Sequence, residues 1–243
     1  MRWLLRVYIG FLTALLLSTG LGCGWFGFGQ KKADRPPDVL AQEGAQKMKS
    51  GKYADAVESF EKIRDRYPYS QEATQAELKV ADAKYFNKKY DEALQDYKNF
   101  EKLHPSHPQI PYVIYQQGLC NYRQRTTIDR DPSYTYKALQ EFRRLKQRYP
   151  DFDKMAKVDD YMTNCLKSLA DHEFYVGEFY FKSKRYQAAL DRFASIQEEY
   201  PDYPKMSKVK EYVATCETYL ANPVKSEPPA ILKPWHYLFD ANW

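Results

Sequence analysis

The 243-residue chain contains no Gly-rich phosphate loop, no nucleophile elbow and no Cys–His arrangement. These absences exclude the familiar nucleotide-dependent and nucleophilic enzymes. Its acidic pairs, Asp159-Asp160 and Glu198-Glu199, are adjacent in helical patterns. Neighbouring residues on a helix point about 100° apart, so the pairs suit a solvated face better than a shared substrate. Four cysteines are present and their spacing fits no zinc site. The net charge of +5 falls to +3 once Arg2 and Arg6 leave with the N-terminal segment argued below. No basic block interleaved with aromatics occurs, so nucleic acid is not the expected partner. The longest apolar run is Val7 to Leu17, well short of the roughly 20 residues that span a bilayer.

What is abundant is the aromatic ring: 22 Tyr and 13 Phe. Aromatic excess at modest hydrophobicity suits helical repeats, whose large residues fill gaps between units. At the N-terminus, Arg2 and Arg6, the Val7–Leu17 run and then small residues make the three-part layout of an export signal. The segment closes on Thr19-Gly20-Leu21-Gly22-Cys23. This resembles a bacterial lipoprotein processing site, with Gly20 standing where that pattern prefers Leu. The resemblance implies that Cys23 becomes the lipidated N-terminus, carrying diacylglycerol and an N-linked acyl chain, with Gly24 permitting export to the outer membrane. No other cofactor and no metal is expected. Residues 1–22 are read as the signal and 23–36 as a tether, in which Trp25, Phe26 and Phe28 suit the membrane–water boundary. Cys120, Cys165 and Cys216 fall in helical patterns and read as buried small hydrophobes.

The body repeats. GKYADAVESFEKIRDRYPYS returns as KKYDEALQDYKNFEKLHPSHP, SYTYKALQEFRRLKQRYPDFD and KRYQAALDRFASIQEEYPDYP. Small residues Ala56, Ala93, Ala138 and Ala189 are each followed four positions later by an aromatic: Phe60, Tyr97, Phe142 and Phe193. Pro68, Pro105, Pro150 and Pro201 stand twelve positions after the same alanines. Upstream, Gly44, Ala81, Gly118 and Gly177 let a first helix approach the second, where the alanine is expected to meet them. This is the tetratricopeptide pattern. In HPSHPQIPYVIYQQGL, Pro105 is then the repeat-terminal proline and His104 takes the place of Tyr67, Tyr149 and Tyr200. The histidine pair reads as punctuation between helices rather than as metal ligands.

Residues 37–222 are accordingly expected to form an all-α, right-handed solenoid of four to five helix pairs. An eight-residue insertion lengthens the loop in the third repeat. Met155, Val158, Met162, Cys165 and Leu169 read as one long helix running on to Phe174 and Phe181. KMSKVKEYVATCETYL reads as a capping helix, and 223–243 as a Pro/aromatic tail. First helices line the binding face of such arrays. The register places Leu78, Tyr85, Phe86, Tyr112, Tyr115, Tyr122, Phe174 and Phe181 on or beside that face, which suits an extended peptide bearing alternate aromatics.

The run LHPSHPQIPYVIYQQGL, the DRDP before the third repeat's second helix and the long helix before YVGEFYFKSKRYQAAL are more specific than the repeat itself. Together they resemble the BamD (ComL/YfiO-type) family of outer-membrane lipoproteins of the β-barrel assembly machinery. The resemblance covers roughly residues 37–222 and departs at the C-terminus, where prolines and aromatics replace a further helix. It implies a non-enzymatic scaffold on the periplasmic face of the outer membrane. Its partners would be the POTRA domains of BamA, other lipoproteins of the complex and unfolded outer-membrane proteins. It also implies that Arg192, before Phe193, contacts BamA. Another tetratricopeptide envelope scaffold, or a periplasmic enzyme carrying such a module, is the alternative. In the tail, Trp235, Tyr237, Phe239, Ala241 and Trp243 occupy every second position, so an extended strand sets them on one side. Two readings of it stay open: a mimic of a client peptide that visits the aromatic face, or a patch that docks on the capping helix.

Overall fold

The computed structural model describes residues 35–222. Among them run nine helices and no strand: α1 (Pro37–Lys49), α2 (Tyr53–Arg66), α3 (Ala73–Phe86), α4 (Tyr90–Leu103), α5 (Ile110–Arg123), α6 (Ser133–Arg148), α7 (Met155–Lys182), α8 (Tyr186–Glu199) and α9 (Met206–Ala221). Each packs chiefly on the next in the chain. They form four pairs, α1/α2, α3/α4, α5/α6 and α7/α8, and α9 closes the array. The architecture is a tetratricopeptide-type α-solenoid.

Both kinds of turn repeat with the sequence. Within the first, second and fourth pairs the connection is three residues. Its middle residue is left-handed: Gly51 at φ 72°, Lys88 at 62° and Lys184 at 58°. The amides of Lys52, Lys89 and Arg185 close back on the carbonyls of Lys47, Lys84 and Tyr180 at 2.9–3.0 Å, a Schellman closure. Glycine takes that conformation freely, whereas the two lysines do so at a cost. Between pairs, two consecutive turns follow each second helix. The amides of Ser70, His107, Phe152 and Tyr203 bond the carbonyls of Tyr67, His104, Tyr149 and Tyr200. Pro68, Pro105, Pro150 and Pro201 occupy the second position of these turns, where a fixed φ is already correct and no donor is required. His104 therefore ends α4 as the tyrosines end the other second helices. Its ring lies 4.8 Å from Phe100 and its Nε2 sits 2.8 Å from Glu77 Oε2.

The small residues of the first helices admit an aromatic of the second helix. A Cβ on Gly44, Gly118 or Gly177 would stand 2.7, 2.5 or 2.8 Å from the ring of Phe60, Phe142 or Phe193. In these three pairs the ring limits how closely the two helices approach. The second pair uses Ala81 and Tyr97, both fully buried. In α6 the position of Tyr53, Tyr90 and Tyr186 is held by the buried Thr135, and the helix starts two residues sooner, at Ser133.

One apolar core runs from Leu78 to Cys216, and a smaller one, centred on Leu40, Phe60 and Ile63, holds the first pair. Helix α3 separates them, contributing Ala76, Val80 and Ala83 to one and Leu78, Ala81 and Tyr85 to the other. The long helix forms as the 3–4 periodicity indicates. Its first half lies against the third pair, with Tyr161 stacked on Phe142 at 5.4 Å. Its second half is the first helix of the fourth pair. In α9 the small-residue position falls on Ala214, which is exposed, with Ser207, Lys210, Glu217 and Thr218 exposed around it. A polar outer face is what a solenoid's terminal helix requires.

Candidate functional site

The structure redistributes the residues expected on the binding face. Leu78 is fully buried and belongs to the core. Tyr85, Tyr115 and Phe174 are buried too, at 9%, 6% and 6% exposure. Phe174 lies among Phe193, Tyr203 and Tyr212, and Tyr85 among Phe86, Tyr90 and Arg123, whereas Tyr115 is covered by the first half of α7 and the turn before it. Tyr161 of α7 stands 6.4 Å from Tyr115 and 4.6 Å from Tyr122, and Phe152 closes on Tyr115 at 5.4 Å. Tyr122 is left half-buried under the Arg125 guanidinium, 3.4 Å above its ring. Phe181 is half-buried between Tyr212 and Tyr186. Phe86 is open, at 48% exposure, stacked on Tyr53. Of the aromatic strip from Tyr85 to Tyr122, Tyr85 and Tyr115 are therefore inter-repeat packing, while Phe86 stays open and Tyr112 and Tyr122 are half-buried.

Tyr112 shows what holds the middle of the array. Its hydroxyl donates to Asp82 Oδ1 at 2.8 Å, and the Tyr97 hydroxyl donates to the same oxygen at 2.8 Å. Lys79 pairs with Oδ2 at 2.8 Å, and Gln116 Nε2 donates to the Tyr112 hydroxyl. One buried carboxylate therefore ties α3, α4 and α5 together. Burial first, then the Asp82 charge, pushes the Tyr97 and Tyr112 hydroxyls above the usual phenol range. A second node is Glu101, which takes both guanidinium nitrogens of Arg144, at 2.6 and 3.1 Å, and Gln117 Nε2 at 2.9 Å. Burial raises its pKa, but the bonds from Arg144 and Gln117 outweigh that and leave it lowered. Sequence reasoning passed over both acids. The signal for Asp82 is an acid inside LKVADAKYF, in a stretch otherwise apolar on two sides.

The open rings on the first helices are Phe86, then Tyr175 and Phe179 one turn apart on α7, then Tyr219 on α9. Arg192 is half-exposed on α8 and pairs with Glu173 of α7 at 3.0 Å. Cys120, Cys165 and Cys216 are buried and unbonded, and burial lifts the first two thiols to about 12 and about 11. Such thiols are poor nucleophiles at neutral pH. Among the described residues no cluster of three metal-ligating side chains occurs, and no helix is long and apolar enough to cross a membrane. Cys23, the tether and the 223–243 tail lie outside the described residues.

Paired helices closed by Gly–Phe contacts, proline-terminated turns and a polar last helix define a protein of the tetratricopeptide class. The family model described as "Outer membrane lipoprotein", YfiO, matches residues 33–223, and the chain belongs to that family. Relatives carrying the name "Outer membrane protein assembly factor BamD" include one from Neisseria gonorrhoeae, 30% identical, with 75% of each chain covered. One from Xylella fastidiosa (strain 9a5c) is 31% identical, covering 78% of this chain and 70% of that one. One from Caulobacter vibrioides is 31% identical over 69% of this chain, which spans 55% of that relative's length. Among solved structures, a thermophilic TPR protein of Thermus thermophilus is similar at 18% identity and a TM-score of 0.41, over 75% of this chain and all of that one.

Proposed function

We propose that this chain is a non-enzymatic scaffold of outer membrane protein assembly. It is anchored at the periplasmic face of the outer membrane through lipid on Cys23, and it binds the POTRA domains of BamA and unfolded outer-membrane proteins. The observation that carries this reading is the family match, which extends over the entire array. The physical arrangement supports a binding role. Tyr175, Phe179 and Tyr219 expose rings on the C-terminal first helices, and Arg192 lies on the neighbouring α8. Exposed aromatics and arginines at the edge of a rigid array are the side chains that anchor protein interfaces. Phe86, and the rim around the half-buried Tyr112 and Tyr122, are the N-terminal surface offered to clients.

Affinity purification of the tagged lipoprotein from membranes tests the reading. BamA and its companion lipoproteins should co-purify, and Arg192→Glu should reduce BamA recovery without lowering the melting temperature. Reversal sets a second carboxylate against Glu173, so the local pair is lost while the exposed site stays solvated. Recovery of secretion or cell-wall components in place of BamA overturns the proposal. Cys23→Ser should release the chain from membranes or block its processing. A variant that is still cleaved and membrane-bound removes lipid from the anchor.

A further inference from the structure

Two cavities occupy the same place in consecutive repeats. One, of about 460 Å³, lies between the start of α5 and the turn at Tyr149-Pro150-Asp151-Phe152. The other, of about 200 Å³, lies between α7 and the turn at Tyr200-Pro201-Asp202-Tyr203. Pro111 of the first corresponds to Ala170 of the second, counted from Gly118 and Gly177, and the turns correspond residue by residue. Both arise because a Tyr-Pro-Asp-aromatic turn folds over the beginning of its own repeat's first helix.

The second cavity is suited to one apolar ring. Its walls are Leu166, Ala170, Pro201 and Pro204 with the sides of Tyr200 and Tyr203. The polar groups nearest to it are already engaged. The Tyr203 hydroxyl donates to Asp171 at 2.7 Å, and Lys167 and Lys205 pair with the same carboxylate at 2.6 and 3.1 Å. An anionic guest would find no free counter-charge there, since both lysines are paired. At the mouth, the carboxylates of Glu199 and Asp202 can accept from an indole N–H or a phenol.

The chain carries candidate guests close by. It leaves α9 at Asn222, and α9 begins beside this turn. The 16 residues of α9 take the chain about 24 Å away from the cavity. Residues 223–234 contain four prolines. Twelve such residues span roughly 37 Å when extended. That length lets Trp235 and the alternating rings of WHYLFDANW reach the cavity mouth. We propose that an aromatic side chain from residues 235–243 seats in the cavity between α7 and the α8–α9 turn, so that the tail is an intramolecular ligand of the fourth repeat. A partner whose own aromatic segment takes this cavity must first displace the tail.

The distribution of tryptophan makes this measurable, because Trp3, Trp25, Trp235 and Trp243 are the four in the chain and none lies in the array. In the full chain with Trp3→Phe and Trp25→Phe, held in detergent micelles, emission comes from the tail alone. Docking predicts blue-shifted emission and reduced acrylamide quenching. Both should relax toward the values of an exposed indole on Leu166→Glu or, at the exposed mouth, Thr163→Arg, with helicity by circular dichroism unchanged. A peptide of residues 233–243 should bind the chain lacking 223–243 at least about tenfold more tightly than the intact chain, as expected of competition with a tethered ligand at millimolar effective concentration. A benzophenone at position 235 should cross-link to residues 163–170 or 199–204. Protection that persists in both cavity variants puts the rings in the micelle and overturns the proposal. Protection lost on dilution assigns the guest to a second copy and also overturns it. Equal peptide affinity for the two chains, or cross-links elsewhere, has the same consequence.

Discussion

Helices α5 and α7 hold the same place in successive repeats and live in opposite surroundings. In α5 every residue from Val113 to Asn121 is buried, Gln116 and Cys120 included. In α7, two residues to either side of the small position at Gly177, Tyr175 and Phe179 stand at 45% and 58% exposure. Register alone therefore does not decide which rings are open. From the first to the third pair the small positions Gly44, Ala81 and Gly118 recur every 37 residues, which sets each first helix directly on the preceding pair. Helix α7 starts early, so its first half takes that place against α5 and α6 and its second half runs past them. The long loop between α5 and α6 accompanies this, with the Ile128 carbonyl 2.6 Å from His172 Nδ1. Helix length as well as register therefore decides where a first helix exposes its rings, and in α7 they are exposed on its second half.

The largest effect should come from the node that closes the middle. Asp82→Ala strands two buried hydroxyls and should cost about 3 kcal/mol in urea unfolding. A loss under about 1 kcal/mol would mean that apolar packing alone holds α3 to α5. Next, Gly118→Ala should lose about 2 kcal/mol, since the new methyl meets the immovable Phe142 ring and overpacking outweighs the gain in helix propensity. The same position in the terminal helix sharpens the comparison: Ala214→Leu has no ring opposite it and should change stability by no more than about 0.5 kcal/mol.

The Glu101–Arg144 contact should show in acid. The folded pKa of Glu101 is lowered, so its contribution is present above the ordinary value near 4.5 and is lost as pH falls through the folded value. Arg144→Ala should remove about 1 kcal/mol at pH 7 and make the acid limb of the stability curve shallower. An unchanged limb would assign the acid sensitivity to other carboxylates. The smallest effect on stability belongs to the open end of the array. Tyr175→Ala and Phe179→Ala should each stay within about 0.5 kcal/mol of the parent while lowering recovery of the assembly partner. If stability falls instead, these rings are packing residues and the two helices differ less than their exposures suggest.

Much of this was legible in advance. The repeat-terminal prolines, the capping helix and the reading of HPSHP as a turn follow from local rules, because a proline's fixed φ and missing donor act wherever it stands. The long helix over 155–182 was legible from its 3–4 periodicity, because amphipathic spacing is a property of one segment. The binding face was not. Leu78, Tyr85 and Tyr115 satisfy the register of a lining residue yet are buried, Tyr115 beneath Phe152 and Tyr161 from far along the chain. Asp82 went unread for a related reason: an acid inside an apolar stretch announces nothing until Tyr97, 15 residues on, and Tyr112, 30 residues on, are brought to it.

The amino-acid sequence by itself determined the repeat, its helix pairs, its turns and its membership of an outer-membrane lipoprotein family, since each rests on residue types at fixed offsets. The tertiary structure alone decided which aromatics remain in contact with solvent and that aromatic rings press on the glycine positions. It also placed one buried carboxylate so that it ties three helices together. Exposure and hydrogen-bond partnership depend on what packs from other repeats, and no local spacing encodes that.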